Sequence, residues 1–548
     1  VSEEATGVRH RGTTDPSGLT TTEVRSPDQS TRTTLPDGTA VEAMVSGDPR
    51  FGMTAPHASV VTIKTPMGLT TTMTRTLQAD LATPGDPFSL RSMISRSRIN
   101  GRLYQSTYET ATRQATTTTP VGRTSRVIFD SLMRPAISEI PGFAPVTVAY
   151  DARGNIKTVT QESRSTTFDY DASDRLTTIT DGLGRTSRFA YDSVGRITSQ
   201  TLPDGRAISF EYDANGNLLS LTPPGRPAHS FTYTAIDQGE TYTAPAVANS
   251  TATRYRYNAD RDLTQILRAG GGTIGLSYDA GGRLASIVHP HGTLGYAYLA
   301  GGQLGSITGA AANLSYRYDG LLPLAATWSG AVSGAIDWAY ETDFRVFEEK
   351  VNGIAIPFGY DNDSLLVSAC SLTLAHNPQN GLLTGTTLGV TTDAWTYTSL
   401  GEPATYTASV AGVPVFAQQD TRDSAGRVTA ITETRYGLTF TKGYQYDTTG
   451  RLTEVSRGGA VETTYAYDGN SNRLTKTTGG TTTTATYDAQ DRLLTYGNAT
   501  YAYTPDGELR SKTDPTGTTT YAYDALGNLR KVVLPDGRIV EYVIDAQN

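Results

Sequence analysis

The chain has 548 residues, 18% charged and 37% hydrophobic, which is too apolar for a disordered polypeptide and long enough for several ordinary domains. A net charge of −8 with no Lys/Arg cluster argues against nucleic acid or an anionic membrane surface as partner. One cysteine, Cys370, excludes a disulfide framework within the chain, and no run of 18 apolar residues reads as a transmembrane helix. Tyrosine (31) outnumbers phenylalanine (13) and glycine is abundant (55), a turn-rich β composition.

Residues 1–145 carry no clear Tyr-Asp pair but show turns at Asp15-Pro16-Ser17-Gly18, Pro36-Asp37-Gly38 and Pro66-Met67-Gly68. Residues 146–235 are regular, with Tyr150-Asp151, Tyr170-Asp171, Tyr191-Asp192 and Tyr212-Asp213 at steps of 20, 21 and 21. Residues 236–420 keep the period in degenerate form: Tyr278-Asp279 is intact, whereas Tyr257-Asn258, Tyr298-Leu299, Tyr340-Glu341 and Tyr397-Thr398 replace the Asp. Residues 421–548 are regular again, with Tyr446-Asp447, Tyr467-Asp468 and Tyr523-Asp524, and the last unit reads as incomplete.

Each unit reads as strand, turn, strand, turn. Another aromatic or apolar residue stands two positions before the tyrosine, as at Phe168, Phe189, Phe210 and Tyr465, so both side chains share one strand face. The Asp opens a turn, its carboxylate accepting backbone N–H bonds. Three residues on, Gly154, Gly195, Gly216, Gly282, Gly450 and Gly527 fit the positive-φ position that closes a type I turn with a G1 bulge. Half a period later comes a second turn, Pro203-Asp204-Gly205 or Pro535-Asp536-Gly537, with Pro presetting one φ and Gly supplying the left-handed residue. No 3.6-period stripe with caps is present, so the pattern predicts an all-β, antiparallel meander. Equal spacing predicts that tyrosines of neighbouring units stack on one another.

Units such as Tyr278-Asp279-Ala280-Gly281-Gly282-Arg283-Leu284 resemble RHS/YD repeats, and the resemblance covers most of the chain. Members of that family include bacterial Rhs polymorphic toxins, shell components of insecticidal toxin complexes, wall-associated proteins and teneurins. The resemblance implies a β-strip spiralling into a hollow shell, with activity carried by another segment. Geometry agrees. A period of about 21 gives on the order of 50 strands of about 5–8 residues, and sheets beyond about 10 strands coil or split.

Chemistry-bearing groups read as structure. His289-Pro290-His291 occupies a turn and has no further ligand at metal spacing. Cys370, in Val367-Ser368-Ala369-Cys370-Ser371-Leu372, reads as a small core residue of a strand. Gly270-Gly271-Gly272 lacks the Lys-Ser/Thr of a phosphate loop and reads as a turn, while Thr116–Thr119 and Thr481–Thr484 read as strand. No catalytic, cofactor or metal site is expected. The expected role is a non-enzymatic scaffold enclosing a C-terminal toxin or other polypeptide cargo, with an extracellular adhesion or glycan-binding surface as the alternative. Either role implies a secreted or cell-surface location, although Val1-Ser2-Glu3-Glu4 does not open a signal peptide. Asp545-Ala546-Gln547-Asn548 reads as the start of another turn, so flanking segments are expected.

Overall fold

Two tight turns per unit leave the chain no alternative to pairing each strand with its predecessor. In the computed structural model, which describes residues 2–247 and 251–545, 51 strands run from Ser2–Glu3 to Ile539–Glu541. Each pairs antiparallel with the strands before and after it, as Thr186–Tyr191 does with Leu176–Thr180 and Ile197–Thr201. There is no helix among the described residues. Val1 and Ala546-Gln547-Asn548, on which the reading of the two ends partly rested, lie outside the described residues.

The pleat follows the sequence pattern. In Ala207–Tyr212 the side chains of Ile208, Phe210 and Tyr212 are half-buried on one face, and Ala207, Ser209 and Glu211 are exposed on the other. A β-bulge falls immediately before the tyrosine in unit after unit, between Ala190/Tyr191, Glu211/Tyr212, Gln445/Tyr446 and Ala466/Tyr467. A bulge adds local twist, and its repetition on the same side of the strip bends the sheet continuously. Pairing runs unbroken through residues 145/146, 235/236 and 420/421.

The sheet is a single layer. Its accessible surface is 29444 Å², against roughly 19,000 Å² for a compact monomer of this mass. Among the described residues fully buried apolar side chains are few, and Leu294, Ile307 and Leu314 form a compact cluster flanked by Ile287, Tyr296, Trp328 and Leu526.

Contacts distant in sequence show how the strip winds. The Thr65 hydroxyl donates to Asp319 at 2.5 Å, Thr119 to Asp363 at 2.6 Å, and Gly270 N–H to Asp506 at 2.7 Å, over separations of 254, 244 and 236 residues. Thr65 follows the sixth strand and Asp319 ends the twenty-ninth; Arg123 precedes the eleventh and Asp361 the thirty-fourth; Arg268 precedes the twenty-fifth and Asp506 the forty-eighth. The offset is 23 strands each time, so 51 strands make just over two revolutions. At ~4.8 Å per strand one revolution is about 110 Å around, or about 35 Å across. Barrels of about 16–18 strands already leave a channel, and those of about 22 hold a plug.

Three expectations need correction. The N-terminal strands are longer than 5–8 residues: Gly52–Lys64 has 13 and Thr70–Leu81 has 12, and their hairpin ends carry the edge-on ring pair Phe51–Phe88 at 5.8 Å. Cys370 is not a core residue. It is exposed, with φ +51, in the two-residue turn that joins Leu366–Ala369 to Leu372–His376. Among the described residues the aromatic ring pairs join no Tyr-Asp tyrosine to its counterpart in the neighbouring unit, and at several of them an arginine lies over the ring, as described below.

Candidate functional site

The repeated site is the Tyr-Asp turn with the side chains that join it to the next unit. At Asp447, Gly450 N–H donates to the Asp447 carbonyl at 3.0 Å and Asp447 N–H to the Arg451 carbonyl at 3.0 Å, the two bonds of a type I turn with a G1 bulge. The Asp447 carboxylate accepts the N–H groups of Thr449 (2.9 Å) and Arg451 (3.0 Å), the Thr449 hydroxyl (2.8 Å) and Arg451 Nε (2.6 Å). Partial burial opposes its ionisation, but the Arg451 side chain and these N–H donors outweigh it and hold the pKa at about 2. The same pair of backbone acceptances recurs at Asp151, Asp171, Asp192, Asp279, Asp468 and Asp524. Asp213 caps likewise through Asn217.

The expected glycines close these turns at positive φ: Gly154 +98°, Gly195 +94°, Gly216 +98°, Gly282 +78°, Gly450 +89° and Gly527 +91°. Where glycine is missing, Asp174 (+61°), Ser471 (+72°) and Asp491 (+61°) hold the same place; short polar side chains are the ones that tolerate it.

The tyrosine reaches backwards. Tyr467 Oη donates to the Leu452 carbonyl at 2.7 Å, fifteen residues earlier. Tyr150, Tyr170, Tyr191, Tyr212, Tyr278 and Tyr446 do the same to Pro135, Ile156, Leu176, Ile197, Leu263 and Val428 at 2.6–3.0 Å. Tyr523 takes the same strand-end position, opposite Leu529.

The arginine after the glycine reaches forwards, a role that the sequence reading missed. Arg451 stacks over the Tyr467 ring at 5.1 Å and donates Nη1 to the Asp468 carbonyl at 3.0 Å. Arg175 and Arg196 make the same two contacts with Tyr191/Asp192 and Tyr212/Asp213. Arg134, Arg283, Arg345, Arg427 and Arg492 cover Tyr150, Tyr298, Tyr360, Tyr446 and Tyr503 at 4.1–5.0 Å. At these eight tyrosines guanidinium and phenol alternate along the ladder, the arginine occupying the space over the ring. The recurrence of Arg four residues after Asp was the available signal.

A second set of contacts stitches revolutions together. Arg123 pairs with Asp361 (3.0 Å) and Asp363 (2.6 Å), Arg164 with Glu402 (2.7 Å), and Arg226 with Asp468 and Asp491 (both 2.5 Å). Arg268 pairs with Glu508 and Arg102 with Asp343. Uncharged contacts join in: Ala144 N–H donates to the Ser399 carbonyl at 2.7 Å and the Ser424 hydroxyl to the Gly182 carbonyl at 3.1 Å.

His289 and Gly292 pair across the Pro290-His291 turn, with the two imidazoles 6.1 Å apart between centroids. Burial lowers the His289 pKa. No cluster of three or more His, Cys, Asp or Glu at metal-binding geometry occurs among the described residues. Gly270-Gly271-Gly272 forms a turn, with Gly271 at φ +87. Thr116–Thr118 and Thr481–Thr484 lie in strands.

The model of the teneurin YD-shell family matches residues 13–548. No curated protein matches the sequence. Among solved structures, TcdB2-TccC3-TEV is similar at 13% identity and a TM-score of 0.50, and TcdB2-TccC3-Cdc42 at 12% and 0.50; each comparison covers 95% of this chain and 35% of the other. The chain thus spans about a third of the length of the solved chains it matches.

Proposed function

The chain belongs to the teneurin YD-shell family, and from that premise we propose that it is the non-enzymatic wall of a hollow shell that encloses a polypeptide cargo, such as a toxin segment. The observation that carries this reading is the 23-strand revolution of a one-layer sheet, whose accessible area of 29444 Å² far exceeds that of a filled globule. A wall of that circumference leaves room for a plug-sized polypeptide. The Asp-Arg-Tyr relay serves rigidity: in the regular units it engages the charged groups of the turn in contacts with the next unit. Tyr150, Asp151, Gly154 and their counterparts are accordingly structural, and the stretches 1–145, 146–235, 236–420 and 421–548 are grades of regularity in one strip. The names of the solved neighbours add a third component to TcdB2-TccC3, in keeping with a shell that holds other material. A secreted or cell-surface location fits this role.

The test is limited proteolysis of the protein isolated from its natural source, followed by mass spectrometry. A second polypeptide that survives protease while the shell is folded, and is degraded once the shell is denatured, supports enclosure. Immediate digestion of every co-purifying polypeptide would refute it.

A further inference from the structure

Within the strip, neighbouring strands share backbone ladders; between revolutions, turns meet through side chains and single backbone bonds. The close ion pairs across this seam have one polarity among the described residues. The earlier revolution supplies the guanidinium, from Arg102, Arg123, Arg164, Arg226 and Arg268, and the later one the carboxylate. We propose that the seam is an acid-labile latch: proton uptake by its carboxylates parts the revolutions while the strands within the strip stay paired.

The proposal rests on the reading of the chain as a wound shell wall, and the charges facing each station set its sign. Arg102 faces Asp343, which Arg345 also contacts at 3.2 Å while pairing with Glu341. Arg123 faces Asp361 and Asp363. Arg164 faces Glu402, with Asp423 and Glu162 adding to the field, and Arg422 lies 3.8 Å from Glu402 and 3.1 Å from Asp420. Arg226 faces Asp468 and Asp491; Arg268 faces Asp506 at 3.6 Å and Glu508. The cations on the carboxylate side of these stations, Arg345, Arg422 and Arg451, are each paired on that side, with Glu341, Asp420 and Asp447. Protonation therefore leaves five facing arginines without counter-charge.

The direction of the pKa shifts agrees. Burial opposes ionisation of Asp361, Asp468 and Glu508, but their hydrogen bonds and facing arginines outweigh it, and the Arg164 side chain lowers Glu402. Groups with depressed folded-state pKa stabilise above their unfolded values and lose that contribution as pH falls through the folded ones. The seam is therefore closed at neutral pH and opens in the acid range below the ordinary carboxylate value. The turn carboxylates of the strip, such as Asp447, titrate over the same acid range, but its strands are also joined by backbone ladders that take up no proton, so the strip opens later.

Two spin-label pairs on the intact chain, in a Cys370→Ser background, separate these events. Val121→Cys with Asn362→Cys spans the seam, where Val121 N–H meets Asp363 at 3.1 Å. Arg188→Cys with Glu211→Cys reports on exposed positions two strands apart within the strip. On acidification the seam distance lengthens at a pH where the strip distance and the far-UV β signal are unchanged. In Arg226→Met that opening moves to higher pH. A seam distance that stays fixed until the β signal is lost, or both distances changing together, overturns the latch. Neither readout depends on cargo, so failure of the latch is distinct from failure of the enclosure reading.

Discussion

Replacing Arg451 by Met tests the relay between units. The substitution keeps the aliphatic stem and removes the guanidinium. It deletes the 2.6 Å bond to Asp447, the 3.0 Å bond to the Asp468 carbonyl and the contact 5.1 Å from the Tyr467 ring centre. The two side chains of the ion pair are about a fifth exposed, so the pair contributes toward the upper end of the ~0–1 kcal/mol of screened pairs. The carbonyl bond adds about 1 kcal/mol and the ring contact about 0.5–1 kcal/mol. The total, about 2–3 kcal/mol, corresponds to a roughly 30–160-fold loss of hydrogen-exchange protection if local opening governs exchange. Asp447 keeps its backbone donors, so no carboxylate is orphaned. The loss falls on the amides of Leu452–Arg457 and Ala460–Tyr467, read by exchange mass spectrometry, and is absent from Ile197–Thr201. Arg188→Met, at an exposed strand position, is the control. Equal protection in both variants would refute the relay.

Tyr467→Phe, which removes only the 2.7 Å bond to the Leu452 carbonyl, weakens the same amides by about 1 kcal/mol, read by the same exchange experiment. Gly195→Val forces a β-branched residue to φ +94 and costs at least about 1–2 kcal/mol; Gly195→Asp, which matches Asp174 in its own turn, is milder, and thermal melting ranks the two. Asp447, held at about 2, stabilises its unit above the ordinary carboxylate pKa of about 3.9 and loses that contribution as pH falls toward 2; acid melting of Asp447→Asn is flatter over that window than that of the parent.

The fold was legible in the sequence because its determinants are local. A tyrosine and an aromatic two positions before it fix one strand face, and Asp with Gly three residues later fixes a turn whose geometry Gly195 and Gly450 display. The relay was not read, because Arg196 and Tyr212 meet only after the intervening turn at Leu202–Arg206 brings their units side by side. The seam was further out of reach: Arg226 and Asp468 lie 242 residues apart, and their meeting depends on the accumulated twist of 23 strands, which no local pattern encodes. Cys370 was misread because a two-residue turn such as Cys370-Ser371 carries neither Gly nor Pro.

The central claim is a one-layer wall wound at 23 strands per revolution around open space. Single-particle electron microscopy of the isolated chain tests it most directly. The account predicts a ring of density about 35 Å across, an axis free of wall side chains, and Arg123 beside Asp361 on the next revolution. Two sheets packed face to face, with aromatic residues such as Phe210 filling a common core, would contradict it.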